Sequence, residues 1–144
     1  MRVAATDGYA HVARDDPSSG TMGVEAVDTS DFNNPVSVGY FYDDIQLNFT
    51  TIDVVGRGSI AFISADAAPE VGESLSQFWI VDFSTPQAPN KLGHNADVGG
   101  QLEVVGNRAY FLRGSEENLE LQVVDISDMS APELLGELSL PTGY

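Results

Sequence analysis

The chain has 144 residues, 22 acidic side chains against 6 basic ones, a formal net charge of −16 and no cysteine. This charge disfavours binding to nucleic-acid phosphates, and the missing cysteine excludes disulfides and thiolate metal sites. No apolar run reaches the length of about 18 residues that a membrane span needs, and the first residues lack the apolar core of a signal peptide.

Short apolar runs, bounded by Gly, Pro, Asn and Asp, follow one another along the chain without helical periodicity. Such runs predict buried β-strands separated by turns. In the first unit, we predict strands at residues 2–6, 9–14, 22–28 and 35–42. The same order restarts near residues 51 and 101, which divides one domain into units of about 2–50, 51–100 and 101–144.

A fixed spacing, Asp-x6-Pro-x3-Gly, occurs once in each unit. Its members are Asp28, Pro35, Gly39, Asp82, Pro89, Gly93, Asp125, Pro132 and Gly136. An Asp at the end of a strand commonly accepts hydrogen bonds from backbone N–H groups just downstream. Because the Asp recurs in every unit, whereas a catalytic or metal site is usually unique, we predict that these nine residues are structural anchors.

A second repeated block precedes each of these motifs. Residues 104–106 are similar to residues 54–56, and we align the two blocks with two additional residues in the earlier one. In this block His11 aligns with Phe62 and Tyr110. We therefore predict that His11 packs in a slot between neighbouring units rather than binding a ligand.

Four short strands in each repeat of about 45 residues are typical of β-propeller blades. The repeated strands also resemble those of the LVIVD repeat family, and they read Val24–Asp28, Phe78–Asp82 and Leu121–Asp125. The family's Pro after Ser-Asp survives here only as Pro86. The resemblance implies propeller blades and no established activity, so we predict an all-β chain with three four-stranded antiparallel blades.

Three blades are too few for a closed propeller, which typically has four to eight. An open arc would expose the apolar faces of its two end blades. Two completions remain open, beside a β arrangement that is not a propeller. A second copy of the chain could close a six-bladed ring with two-fold symmetry, or the chain could be part of a longer propeller.

Acidic residues concentrate in the loops between second and third strands and in the links between units. In a propeller these segments share one face, so we predict an acidic rim there. The candidate binding residues on or beside this rim are Asp43, Asp44, His94, Asp97 and Trp79. His94 is the one plausible general base, and the sequence places no nucleophile motif beside it.

Trp79 occupies the strand position that Glu25 and Gln122 hold in the other units. We favour packing of Trp79 against a neighbouring blade. The alternative is a partly exposed ring that serves as a platform for a sugar or peptide.

Clustered carboxylates also suit calcium. The candidate calcium ligands are Asp15, Asp16, Glu116 and Glu117. They form adjacent pairs without the alternating Asp pattern of a calcium loop, so we favour a solvated rim and expect no cofactor.

We therefore expect a non-catalytic structural or binding module. The resemblance to the LVIVD repeat family, which occurs often in cell-surface proteins of bacteria and archaea, implies a location outside a microbial cell or in its envelope. The alternative functions are a propeller hydrolase or lyase with a site on the acidic face and a calcium-stabilised surface repeat. The alternative location is the cytoplasm of a cell adapted to high salt.

Overall fold

A computed structural model describes residues 2–6, 8–15, 22–42, 49–67, 76–115 and 118–141. These residues form three four-stranded antiparallel sheets. Within each sheet, strands that are consecutive in the chain lie side by side. The described residues contain no helix that is long and apolar enough to cross a membrane. The predicted all-β class and the predicted division into three propeller-like blades are confirmed.

Each sheet takes its four strands from consecutive segments of the chain. Blade 1 consists of β1 (Arg2–Thr6), β2 (Tyr9–Asp15), β3 (Met22–Asp28) and β4 (Val36–Tyr42). Blade 2 consists of β5 (Phe49–Arg57), β6 (Ile60–Ala67), β7 (Ser76–Asp82) and β8 (Asn90–Asn95). Blade 3 consists of β9 (Gln101–Val105), β10 (Arg108–Ser115), β11 (Asn118–Asp125) and β12 (Glu133–Ser139). The first strand of blade 2 thus begins at Phe49, slightly before the predicted unit boundary at residue 51.

The turns between the first two strands of blades 2 and 3 correct the predicted alignment. In both blades two residues lie between the paired residues that flank this turn, so neither turn contains an insertion. Gly58 and Gly106 have φ values of 59° and 57°. Tight hairpin turns need this left-handed backbone, and glycine adopts it without steric cost. Gly106 therefore corresponds to Gly58, and its predicted match with Gly56 is wrong.

Blade 2 is buried on both faces. Alternate residues of a strand point to opposite sides of its sheet, and each side of blade 2 packs against a neighbouring blade. We call the face toward the preceding blade the upstream face and the other the downstream face. On blade 2 the upstream face includes Ala61, Ile63, Trp79 and Val81, which pack with Ala13, Val24 and Ala26 of blade 1. The downstream face includes Phe62, Phe78 and Ile80, which pack with Phe111 and Val124 of blade 3.

Candidate functional site

The three anchoring Asp residues close turns at the ends of the third strands. The backbone N–H groups of Ser30, Ser84 and Ser127 donate to Asp28, Asp82 and Asp125, over distances of 2.8, 2.7 and 2.8 Å. These are the local hydrogen bonds expected for Asp in this position. Each of the three carboxylates is therefore engaged in a hydrogen bond within its own turn.

Hydrogen bonding changes the acidity of these carboxyl groups. The backbone N–H of Ser30 lowers the pKa of Asp28, and that of Ser127 does the same for the pKa of Asp125. For Asp82, burial acts to raise the pKa, but hydrogen bonds from Ser84 and Ser59 outweigh burial and lower the pKa overall. In each case, hydrogen bonds to the ionised form stabilise the carboxylate.

His94 and Trp79, two of the candidate binding residues, lie against each other on paired strands. Their ring centroids are 5.8 Å apart and their planes differ by 23°. His94 Nε2 lies 2.5 Å from Gln77 Oε1, which accepts the hydrogen bond. Trp79 is only 4% exposed and belongs to the core between blades 1 and 2. Trp79 therefore packs against the neighbouring blade, and the alternative of a partly exposed platform is wrong.

Asp97 lies in the link between blades 2 and 3 and is exposed to solvent. Its backbone N–H donates to Asn95 Oδ1 over 2.9 Å, and its carbonyl oxygen accepts from Gln122 Nε2 over 3.4 Å. The bond to Asn95 ties the link to the end of blade 2, and the bond from Gln122 ties it to blade 3. The described part of the candidate rim therefore has an ordered backbone with exposed groups at His94 and Asp97.

Most of the other candidate binding and calcium residues lie outside the described residues. This applies to Asp43, Asp44, Asp16, Glu116 and Glu117. Asp15 ends β2, but its side chain is also outside the description. Within the described residues, no group of three or more His, Cys, Asp or Glu side chains could hold a metal ion.

His11 is fully buried between blades 1 and 2, in the slot that the repeat alignment predicted. Its ring centroid lies 5.0 Å from that of Phe83. Neither ring nitrogen has a hydrogen-bond partner within the described part of the chain. Burial lowers the pKa of His11, because the charged imidazolium would lose its hydration there.

Asp53, which the sequence analysis did not single out, links the first strands of the blades. Its carboxylate accepts hydrogen bonds from the backbone N–H groups of Val54 and Leu102, each over 2.9 Å. The bond to Leu102 joins blade 2 to blade 3. No sequence signal distinguishes this buried role, because Glu103 also lies directly before a Val-Val pair and is exposed.

A pocket of about 390 Å³ opens beside Asp53. Arg2 and Gln101, at the same repeat position as Asp53, line one part of it, and Tyr110 and Leu121 line another. Tyr110 and Leu121 belong to the downstream face of blade 3. The pocket is therefore continuous with a sheet face that no other blade of the described residues covers.

The upstream face of blade 1 is the first of two end faces that the described residues leave uncovered. Val3, Val54 and Leu102 occupy the same position in the three blades, as the strand register shows. Val54 and Leu102 are 4% and 7% exposed, whereas Val3 is 67% exposed. The side chain at this repeat position is therefore buried in both junctions between blades, but in blade 1 it is exposed to solvent.

The downstream face of blade 3 is uncovered in the same way. Leu135 and Leu138 are 51% and 59% exposed. Val38 and Phe41, at the same repeat positions of blade 1, pack against the core between blades 1 and 2. The two end faces thus carry the apolar groups of a blade junction, and together they form the most developed candidate interaction site among the described residues.

Comparison with known proteins identifies the third blade. Residues 100–139 match the LVIVD repeat family, which confirms the resemblance over β9 to β12. No curated protein matches the chain significantly.

Proposed function

We propose that this chain, whose residues 100–139 form an LVIVD repeat, is a non-catalytic propeller-repeat module that acts by joining blades through its two end faces. The observation that carries the proposal is the contrast between Val3 at 67% exposure and its counterparts Val54 and Leu102 at 4% and 7%. Apolar groups exposed in this way mark interaction surfaces. The partners we propose are further blades, from a second copy or from the rest of a longer chain.

The use of the anchoring carboxylates supports a structural rather than a catalytic role. Asp28, Asp82 and Asp125 each accept a backbone hydrogen bond in the turn of their own blade. A catalytic site needs titratable groups that converge on one substrate. The three carboxylates instead repeat one local arrangement, which suits a scaffold.

The acidic rim is the proposed second binding surface of this module. Its described part presents His94 and Asp97 at the surface, and Asp43 and Asp44 belong to the same predicted rim. An excess of carboxylates favours cationic ligands or basic protein segments over anionic ones. We propose a location outside the cell or in its envelope, on the basis of the family resemblance and the acidic composition, and we propose that the module needs no cofactor.

Self-association tests the role of the end faces. We expect the purified chain to have a solution mass above its own 15.4 kDa in light scattering at micromolar concentration. Val3→Asp and Leu135→Asp each place a carboxylate on one end face and should shift the chain toward the monomer. The matched control is Ser37→Asp, at an exposed position of β4 in blade 1. A wild-type chain that remains a 15.4 kDa monomer at every concentration would exclude a second copy as the partner. Association that neither Asp variant weakens would contradict the role of the end faces.

A further inference from the structure

Two glycines of the repeat lie directly under the backbone of the following blade. A Cβ atom at Gly39 would overlap the carbonyl oxygen of Pro86, and a Cβ atom at Gly93 would overlap the carbonyl oxygen of Met129. Glycine in a strand often marks a place where another backbone approaches closely. We call such a glycine, with the space above it where a side chain would lie, a glycine seat. At each interior junction a turn of the next blade fills this space.

Gly136 is the same glycine in blade 3, but its seat is empty. No atom of the described residues lies within 4 Å of the position that its Cβ would occupy. Its φ is not in the left-handed region, so the backbone does not require glycine there. Since glycine in a strand interior has an entropic cost, contacts within the described part of the chain do not account for it.

The turns that fill the two interior seats identify the group that fits the third. Pro86 and Met129 each lie four positions after an anchoring Asp, and Phe32 lies at that position in blade 1. The three turns share a backbone hydrogen bond, from Asn34 to Asp31, from Ala88 to Thr85 and from Ala131 to Asp128. Phe32 is 90% exposed. The Phe32 turn therefore has the same form as the turns that fill the interior seats, and it covers no seat among the described residues of its own chain.

We propose that a second copy of this chain docks head to tail, with its Phe32 turn on Gly136 and its upstream blade 1 face on the downstream blade 3 face. This inference rests on the proposed function, because it names the partner that joins the end faces. It also brings Val3 of one copy to the face that carries Leu135 and Leu138 of the other. Two identical junctions of this kind would close two chains into six blades, a number within the usual range for propellers.

A valine at Gly136 separates docking from folding. The Cβ of Gly136→Val meets no described atom beyond its two chain neighbours. Valine also favours a strand conformation, but its side chain would overlap an incoming backbone. We expect light scattering to give about 31 kDa for the wild type, twice 15.4 kDa, and a folded 15.4 kDa chain for Gly136→Val. The expected rise in the dimer dissociation constant is about a hundredfold, consistent with overpacking at a tight junction. Circular dichroism checks that the strand content is unchanged.

Glu137→Val is the matched control on the same strand. Glu137 is paired with Gln122, whereas Gly136 is paired with Val123, so their side chains point to opposite faces of blade 3. We expect Glu137→Val to remain dimeric. A Gly136→Val chain that dimerises as tightly as the wild type would overturn the seat.

Mixing variants tests the head-to-tail arrangement. Val3→Asp and Leu135→Asp should each weaken the dimer, and their mixture should regain association, since one of its two junctions combines two unmodified faces. A symmetric contact between like faces would instead respond to one variant and not the other. If both Asp variants are monomeric while Gly136→Val stays dimeric, the seat fails and the proposed function stands. A monomeric wild type would overturn this inference and leave the rest of a longer chain as the partner under the proposed function. A dimer that neither Asp variant weakens would overturn both.

Discussion

The imidazole of His11 lies 5.0 Å from the ring of Phe83, across the junction between blades 1 and 2. The slot gives neither imidazole nitrogen a hydrogen-bond partner within the described residues. The position tolerates an aromatic hydrocarbon, because Phe62 occupies the same place in the next blade. His11 is thus a titratable group in an apolar junction, which makes the stability of that junction depend on pH.

We predict that the chain loses stability as the pH falls below about 6.5, the ordinary pKa of histidine. Burial lowers the pKa of His11 in the folded state. Between the ordinary pKa and this lowered value, the unfolded chain binds a proton that the folded chain does not. The free energy of unfolding should therefore fall by up to about 1.4 kcal/mol per pH unit in that window. Urea unfolding at a series of pH values measures it.

His11→Phe should remove this part of the pH dependence, and His94→Gln should retain it. The anchoring carboxylates act at lower pH, since the pKa values of Asp28, Asp82 and Asp125 are lowered from about 3.8. Their stabilisation is present above that value and is lost as the pH falls through the folded pKa. An identical slope above pH 5 in the wild type and His11→Phe would contradict the assignment.

The seat at Gly39 predicts a large effect from a single methyl group. Gly39→Ala should lower the free energy of unfolding by about 1–3 kcal/mol or more, because the carbonyl of Pro86 occupies the position of the new Cβ and cannot rotate away. Ser37→Ala, at an exposed position on the same strand, should change it by less than about 0.5 kcal/mol. Equal effects of the two variants in urea unfolding would refute close backbone contact.

Asp53 should contribute more to stability than its ion pair with Arg2 does. Asp53→Ala leaves the buried N–H of Leu102 without its acceptor, and we expect a loss of about 1–3 kcal/mol. Arg2 lies 3.7 Å from Asp53, and its side chain is 52% exposed, so Arg2→Ala should cost less than about 1 kcal/mol. Hydrogen exchange at Leu102 should rise in Asp53→Ala only. Unchanged exchange there would show that the bond is not protective.

Calcium should not stabilise the chain specifically. We expect the melting temperature in millimolar calcium chloride to match that in magnesium chloride at the same concentration, since both ions screen the net charge of −16 to a similar extent. A ligand that binds the folded state raises the melting temperature in proportion to the logarithm of its concentration above its dissociation constant. A saturable rise with calcium alone would favour the calcium-stabilised alternative.

The strands and turns could be predicted from the sequence because they depend on local interactions. The continuous apolar run Phe78–Val81 and the spacing from Asp82 to Gly93 involve only neighbours along the chain. The hydrogen bond from Ser84 to Asp82 spans two residues, so a sequence pattern can indicate it. The misplaced match of Gly56 with Gly106 shows the limit of such patterns, since only strand pairing identifies which glycine forms the turn.

Tertiary structure decided which of these repeated positions are covered. Trp79 is buried although Glu25 and Gln122 hold its position in the other blades, and Asp53 is buried by a partner 49 residues away. By sequence, Gly39, Gly93 and Gly136 are the same residue in the same motif. The first two lie under a neighbouring turn and the third does not. Repetition along the chain specifies the form of each blade, but the contacts of a blade depend on what packs against it in space.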